Sequence, residues 1–133
     1  MTYDIATLLE RNLQEVFGEA DDARRLATAT EIFAPDAEFH EPSAIYRGPE
    51  EIARIAGVIR ASHPDFQYRE LGPAEVLHET AGRVRWVSGA PGETPAYAGT
   101  DFIIARDGLI SGLYLFFDPL PGEGDVSQDK TRK

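Results

Sequence analysis

Three side chains that can take or give a proton, Glu38, His40 and Glu41, fall within four residues and are followed at once by Pro42. They sit in the segment FAPDAEFHEPSAIYRG, Phe33 to Gly48. It reads as a helix end, a turn at Pro35–Asp36, a short strand over 36–41 and a sharp exit, because proline cannot supply the next ladder hydrogen bond. A carboxylate at the frayed end of a strand, flanked by apolar residues, suits the rim of a pocket, which makes Glu41 a candidate acid or base. Successive strand side chains point to opposite faces, so only one of His40 and Glu41 can enter such a pocket. The three histidines, His40, His63 and His78, show no H-x-H or H-x-x-x-H spacing, so no metal site is expected. The absence of cysteine removes thiolate nucleophiles, thiolate metal centres and disulfides.

The chain that must position these groups has 133 residues, enough for one core but not two. A net charge of −10 opposes nucleic-acid binding, which needs a basic footprint. The apolar runs are too short to span a bilayer, and the N-terminus lacks a basic-then-apolar leader pattern, so a cytoplasmic location without membrane association is expected. The glycine-rich segments at 89–92 and 122–124 lack the strand-then-helix context of a phosphate loop.

Apolar residues at helical spacing (Ile5, Leu8, Leu9, Leu13, Val16, Phe17) predict an amphipathic helix stopping at Gly18. A second helix is predicted from the capping pair Asp21–Asp22 through Phe33, ended by Pro35. Ile45 to Arg47 allow a very short strand. Gly48-Pro49-Glu50-Glu51 is a strong helix start, with proline at the first position and acids where the dipole favours them. That helix buries Ile52, Ile55, Ala56 and Ile59 and ends at His63–Pro64, where His63 is read as a cationic partner for the last carbonyls. From Asp65 the period becomes extended: 65–71, a break at Gly72–Pro73, 75–79, a turn at 80–82, 83–88, a loop over 89–95, 96–105, a hairpin turn at Asp107–Gly108, and 109–117. Helices first and a meander afterwards give the α+β class, with helices on one face of a sheet that curls into a cone around a cavity. One domain is assigned to 1–118 and a flexible C-terminal tail to 119–133.

The order of these elements, with FAPDAEFHEP (33–42), YRGPEEI (46–52), HPDF (63–66), RVRW (83–86), GTDFIIARDGLI (99–110) and LYLFFD (113–118), resembles the SnoaL-like branch of the NTF2-like superfamily. That branch includes polyketide cyclases and ketosteroid isomerases. The resemblance covers about residues 3 to 118 and implies a cystatin-like cone, its N-terminal helices packed in a strongly curved antiparallel sheet. It also implies an apolar pocket, commonly a homodimer built on the outer sheet face, and chemistry that needs neither metal nor organic cofactor. The isomerases' general base, just before the strand-ending proline, matches Glu41. Their second acid, which donates a hydrogen bond to the developing oxyanion, matches Asp101, and the cyclases' acid/base resembles Asp101 too. The isomerases also carry a tyrosine on the first helix; the matching region here holds Leu13 and Phe17, so that donor is missing and steroid isomerisation itself is not implied.

By the same resemblance Phe39 and Glu41 point into the pocket and His40 faces outward or into an interface. Phe17, Phe39, Tyr46, Trp86, Tyr97, Leu113, Leu115 and Phe117 are expected to line the cavity, with Trp86 alternatively packing the sheet. Arg85 either meets a carboxylate substrate or pairs at the surface with Glu75 or Glu79. Glu41 and Asp101 are either a working pair, one ionised and one kept neutral by burial, or a solvated rim carboxylate and a structural acid. Two functions follow. One is binding of a small hydrophobic or aromatic molecule with cofactor-free proton transfer next to a carbonyl (cyclisation or isomerisation, with hydrolase or lyase variants). The other is a non-catalytic ligand-binding or dimerisation module.

Overall fold

The computed structural model describes residues 3–121. The first helix, α1 (Ile5–Asn12), is capped by Asp4, whose carboxylate accepts the Thr7 N–H at 2.8 Å. It runs straight into a π-helical turn, Leu13–Phe17, where a regular α-helix is predicted to continue. The wider winding turns Leu13, Val16 and Phe17 into the core together with Asn12, and the segment stops at Gly18 as its sequence predicts. α2 (Asp22–Ile32) is capped by Asp21, which accepts the Arg24 N–H. It passes without a loop into β1 (Phe33–Glu41), because Phe33 is already extended at φ −99°, ψ 141°. The strand therefore starts before Pro35 rather than after it. Pro35 is tolerated there because the pairing of β1 with its neighbour is interrupted between Phe33 and Glu38, so the missing N–H breaks no ladder.

β2 (Ala44–Arg47) folds back on β1 with Phe39 opposite Tyr46, and Gly48, at φ +88°, leads into α3 (Pro49–Ser62). β3 (Gln67–Glu70) and β4 (Glu75–Leu77) are two pieces paired to the same strand, β5 (Ala81–Gly89), separated at the predicted Gly72–Pro73 break. β6 (Tyr97–Arg106) and β7 (Leu109–Phe117) complete the meander through a two-residue turn in which Asp107 and Gly108 both have positive φ, the conformation that makes Asp-Gly a hairpin signal. Gly82 lies inside β5 and not in a turn. The turn is His78–Thr80, and Gly82 is where α1 rests on the sheet: a Cβ there would fall 2.4 Å from Cγ2 of Ile5.

The sheet runs β2-β1-β7-β6-β5-β3, with β4 also on β5. It is curved and unclosed, and with the three helices it makes the α+β NTF2-like cone. One pairing departs from the all-antiparallel expectation. β1 lies parallel to β7, since the β1–β2 hairpin adds to the free edge of the last strand of the meander. Leu8, Leu9, Val16 and Phe17 of the first helical segment, Ile32 of α2 and Ile52 of α3 fill the inner face against Phe39, Val84, Ile103 and Leu113. Residues 122–133 of the proposed tail lie outside the described residues.

Candidate functional site

The helices do not fill the cone to its open end. They leave a cavity of about 300 Å³. Phe17 and Phe39 close one side of it, with ring centroids 5.2 Å apart, and Leu113 and Leu115 of β7 close another. Tyr97 and Phe117 line the cavity yet remain 43% and 56% exposed, so they frame its mouth, where His63 and Phe66 stack at 4.3 Å. The expected wall residues Phe17, Phe39, Trp86, Tyr97, Leu113, Leu115 and Phe117 therefore do come together. Tyr46 does not. It stacks behind Phe39 at 5.9 Å, its hydroxyl 3.5 Å from a Glu41 carboxylate oxygen.

Asp101 is the buried charge-bearing group of this wall, only 6% exposed. Its Oδ1 accepts the indole N–H of Trp86 at 3.0 Å, and its Oδ2 accepts an N–H of the Asn12 amide at 3.4 Å. Burial pushes its carboxyl up to about 7, while the Trp86 and Asn12 hydrogen bonds pull the other way. Desolvation wins because two neutral donors replace only part of what water gives a carboxylate. The indole reaches Asp101 because residue 99, opposite it on β6, is glycine: a Cβ there would lie 2.5 Å from Trp86 Cζ2.

Asn12 was not legible as a site residue, although a signal existed. It is the polar member of the otherwise apolar stripe Ile5, Leu8, Leu9, Asn12, fully buried, and its Oδ1 has no hydrogen-bond partner. Tyr68 of β3 stands edge-on to Trp86 at 5.1 Å. Burial, with the Asp101 charge added, pushes its hydroxyl up to about 12, and the Arg60 charge opposes them.

Glu41 lines the same cavity from the end of β1, half-buried. Its oxygens accept the Ser43 N–H at 3.1 Å and the Ser43 hydroxyl at 2.6 Å. His40 is on the opposite face, stacked on Tyr114 at 4.7 Å with Nε2 3.0 Å from Glu38. Arg85 is also outside the cavity. Its nearest acid is Asp118, 4.0 Å away, and not Glu75, which Arg83 holds at 2.6 Å. His63 does not serve the last carbonyls of α3 with its ring; the Ile59 carbonyl accepts the Ser62 hydroxyl, and the Arg60 guanidinium donates to the carbonyls of Gly18, His63 and Pro64, beyond the helix end. The His63 ring faces the cavity mouth, its Nδ1 3.1 Å from the Ser62 hydroxyl.

A carboxyl with a pKa near neutrality, set in an apolar wall, can give or take a proton with comparable ease at physiological pH. The sequence over residues 13–113 matches the model of the SnoaL-like domain. The chain belongs to the SnoaL-like family. Solved structures agree at the level of the fold. A candidate isomerase of the SnoaL-like family from Agrobacterium tumefaciens is 22% identical, with 84% of this chain and 95% of that one covered at a TM-score of 0.77. A candidate polyketide cyclase from Sinorhizobium meliloti is 21% identical over 83% and 94% of the two chains, with a TM-score of 0.64. A candidate ketosteroid isomerase from Kribbella flavida is 18% identical over 96% and 87%, with a TM-score of 0.63. No curated protein sequence matches the SnoaL-like chain described here. Among its described residues no helix is long and apolar enough to cross a membrane.

Proposed function

We propose that this SnoaL-like protein binds a small, mainly apolar carbonyl compound in the cone cavity and moves a proton on the carbon next to its carbonyl, without a cofactor. The observation that carries this reading is Asp101, a buried carboxyl in the cavity wall held by Trp86 and Asn12 and raised to about 7. In its neutral form it can donate a hydrogen bond to a carbonyl oxygen as negative charge develops there, and in its ionised form it can abstract a proton. Glu41, in the same wall, is the second carboxylate and serves as the base when Asp101 is the donor. Cyclisation and isomerisation through an enolate are the reactions this pair fits.

The experiment is exchange of α-hydrogens for deuterium in small cyclic and aryl-alkyl ketones in D₂O, followed by proton NMR. Exchange faster than buffer, lost in Asp101→Asn and inflecting near pH 7, supports the proposal. Exchange that Asp101→Asn leaves unchanged removes Asp101 from the chemistry.

A second reading, a ligand-binding module without catalysis, is favoured by one feature. Each Asp101 oxygen is already engaged by a protein donor, and Ser43 and Tyr46 already engage Glu41. Binding of the same ketones with no exchange above buffer is its signature. In either case we propose a homodimer through the outer sheet face. Phe116 and Ile104 are exposed there, beside Tyr114 and Phe102 with ring centroids 6.0 Å apart. Sedimentation of the parent and of Phe116→Lys tests this; a parent that sediments as a monomer at micromolar concentration refutes it.

A further inference from the structure

Among the described residues Arg60 stands apart from the other arginines. Arg11, Arg25, Arg47, Arg54, Arg83 and Arg106 each hold a carboxylate at 3.1 Å or closer. Arg24 and Arg69 hold none and Arg85 comes no closer than 4.0 Å to Asp118, but all three are exposed and lie outside the cavity. Arg60 is half-buried, lines the cavity and pairs with no carboxylate among the described residues. Its Nε donates to the Gly18 carbonyl at 3.2 Å and its Nη1 to those of His63 at 3.1 Å and Pro64. Those acceptors come from the end of the π-helical turn and the end of α3, so the plane of the guanidinium is fixed from two sides. Nη2 makes no hydrogen bond to a described residue.

Neutral carbonyls orient a cation without cancelling its charge. A guanidinium held at Nε and Nη1, with Nη2 left over in an apolar wall, is pre-organised for an anion, since little side-chain entropy remains to be lost on pairing. The other ionisable groups of the wall are Glu41, Tyr68, His63, Tyr97 and Asp101. Arg60 and Asp101 both act on the Tyr68 hydroxyl, in opposite senses because their charges are opposite, so both lie within electrostatic reach of it. A cavity of about 300 Å³ is at the small end for ligand sites and suits a one- or two-ring compound.

We propose that the ligand of this cavity carries a carboxylate that pairs with Nη2 of Arg60, which makes Arg60 the residue that sets specificity. The inference rests on the cavity being a small-molecule site, but not on that site being catalytic. The ligand would lie with its apolar body against Phe39 and Leu113, its carboxylate at Arg60 and its reacting end toward Asp101.

The protein supplies its own reporter, because Trp86 is the only tryptophan and lines the cavity. The indole N–H signal of ¹⁵N-labelled protein is followed during titration with 3-phenylpropionate and, separately, with 4-phenylbutan-2-one, the neutral methyl ketone of the same shape. The acid is expected to bind about tenfold more tightly than the ketone in the parent, the scale of one charge-assisted hydrogen bond. In Arg60→Gln the preference vanishes through loss of acid affinity, with ketone affinity unchanged. His63→Gln, which alters the wall's other potential cation, keeps the preference, as Arg60→Lys does in part; these two carry the attribution if Arg60→Gln does not fold. Equal binding of acid and ketone by the parent, or a preference that survives in Arg60→Gln, overturns the inference. Binding of the ketone alone overturns it while leaving the cavity as a small-molecule site. If neither compound moves the indole signal, both readings fall.

Discussion

Replacing Asp101 by asparagine isolates the energetic cost of the buried carboxyl. In the unfolded chain the group ionises at its ordinary 3.8, and in the fold at about 7. Between these values the unfolded chain has released a proton that the folded chain still holds. Stability therefore falls as pH rises through this window and levels off above it, the opposite of the usual salt-bridged aspartate. At ~1.4 kcal/mol per pH unit the total is about 4 kcal/mol. Asparagine has the shape of the neutral acid: its Oδ1 can accept the Trp86 N–H, and its amide can donate to the orphaned Asn12 Oδ1 after a half-turn of the Asn12 side chain. The parent and Asp101→Asn should thus be nearly equal in stability near pH 4, and the variant should gain steadily to a plateau of about 4 kcal/mol near pH 8. Urea unfolding followed by Trp86 fluorescence at several pH values measures the difference. Taking the difference matters, because Asp4, Asp36, Glu38 and Glu51 are held below their ordinary pKa values and lose stability in the other direction, as pH falls. A difference that does not change with pH, or an advantage for the parent that grows toward pH 8, would mean Asp101 is ionised in the fold and the desolvation argument is wrong.

Three further outcomes follow from the same contacts. Gly99→Ala drives a Cβ into the indole of Trp86; it should cost roughly 1–3 kcal/mol in urea unfolding and move the indole N–H signal as its bond to Asp101 is lost. Asn12→Leu removes a donor to Asp101 together with a buried orphan oxygen, so the Asp101 carboxyl should titrate higher by carbon-detected NMR while overall stability changes little. Tyr68→Phe should delete the step near pH 12 from an ultraviolet alkaline titration.

Much of the fold is local in origin and could be read along the chain. Asp21 caps α2, Gly48–Pro49 opens α3, and Asp107–Gly108 turns the last hairpin through interactions that span a few residues. What escaped reading depends on partners distant in sequence. Gly82 looks like a turn residue until α1 lies across it, and Phe33 looks helical until β7 offers it a neighbour. The site divides in the same way. Strand alternation sufficed to send His40 and Glu41 to opposite faces, and Asp101 was marked by family resemblance. Asn12, which meets Asp101 across most of the chain, left only a faint sign: a polar residue on an apolar stripe. Arg60 left no sign at all, because its place in the site depends on the Gly18 carbonyl, which lies 42 residues away in the chain.

The parallel seam between β1 and β7 bears on how the molecule is made. Phe39 pairs in register with Leu113, so adjoining parts of one cavity wall come from segments far apart in the chain. The β5–β6–β7 meander and the helices can form from nearby partners, but the seam must wait until β7 has left the ribosome. Closing so long a loop makes it the slow, late event of folding, with the β1 edge open to other strands in the interval. The cavity then cannot exist in any partly folded form, and the binding of a ligand reports completion of the last pairing in the sheet.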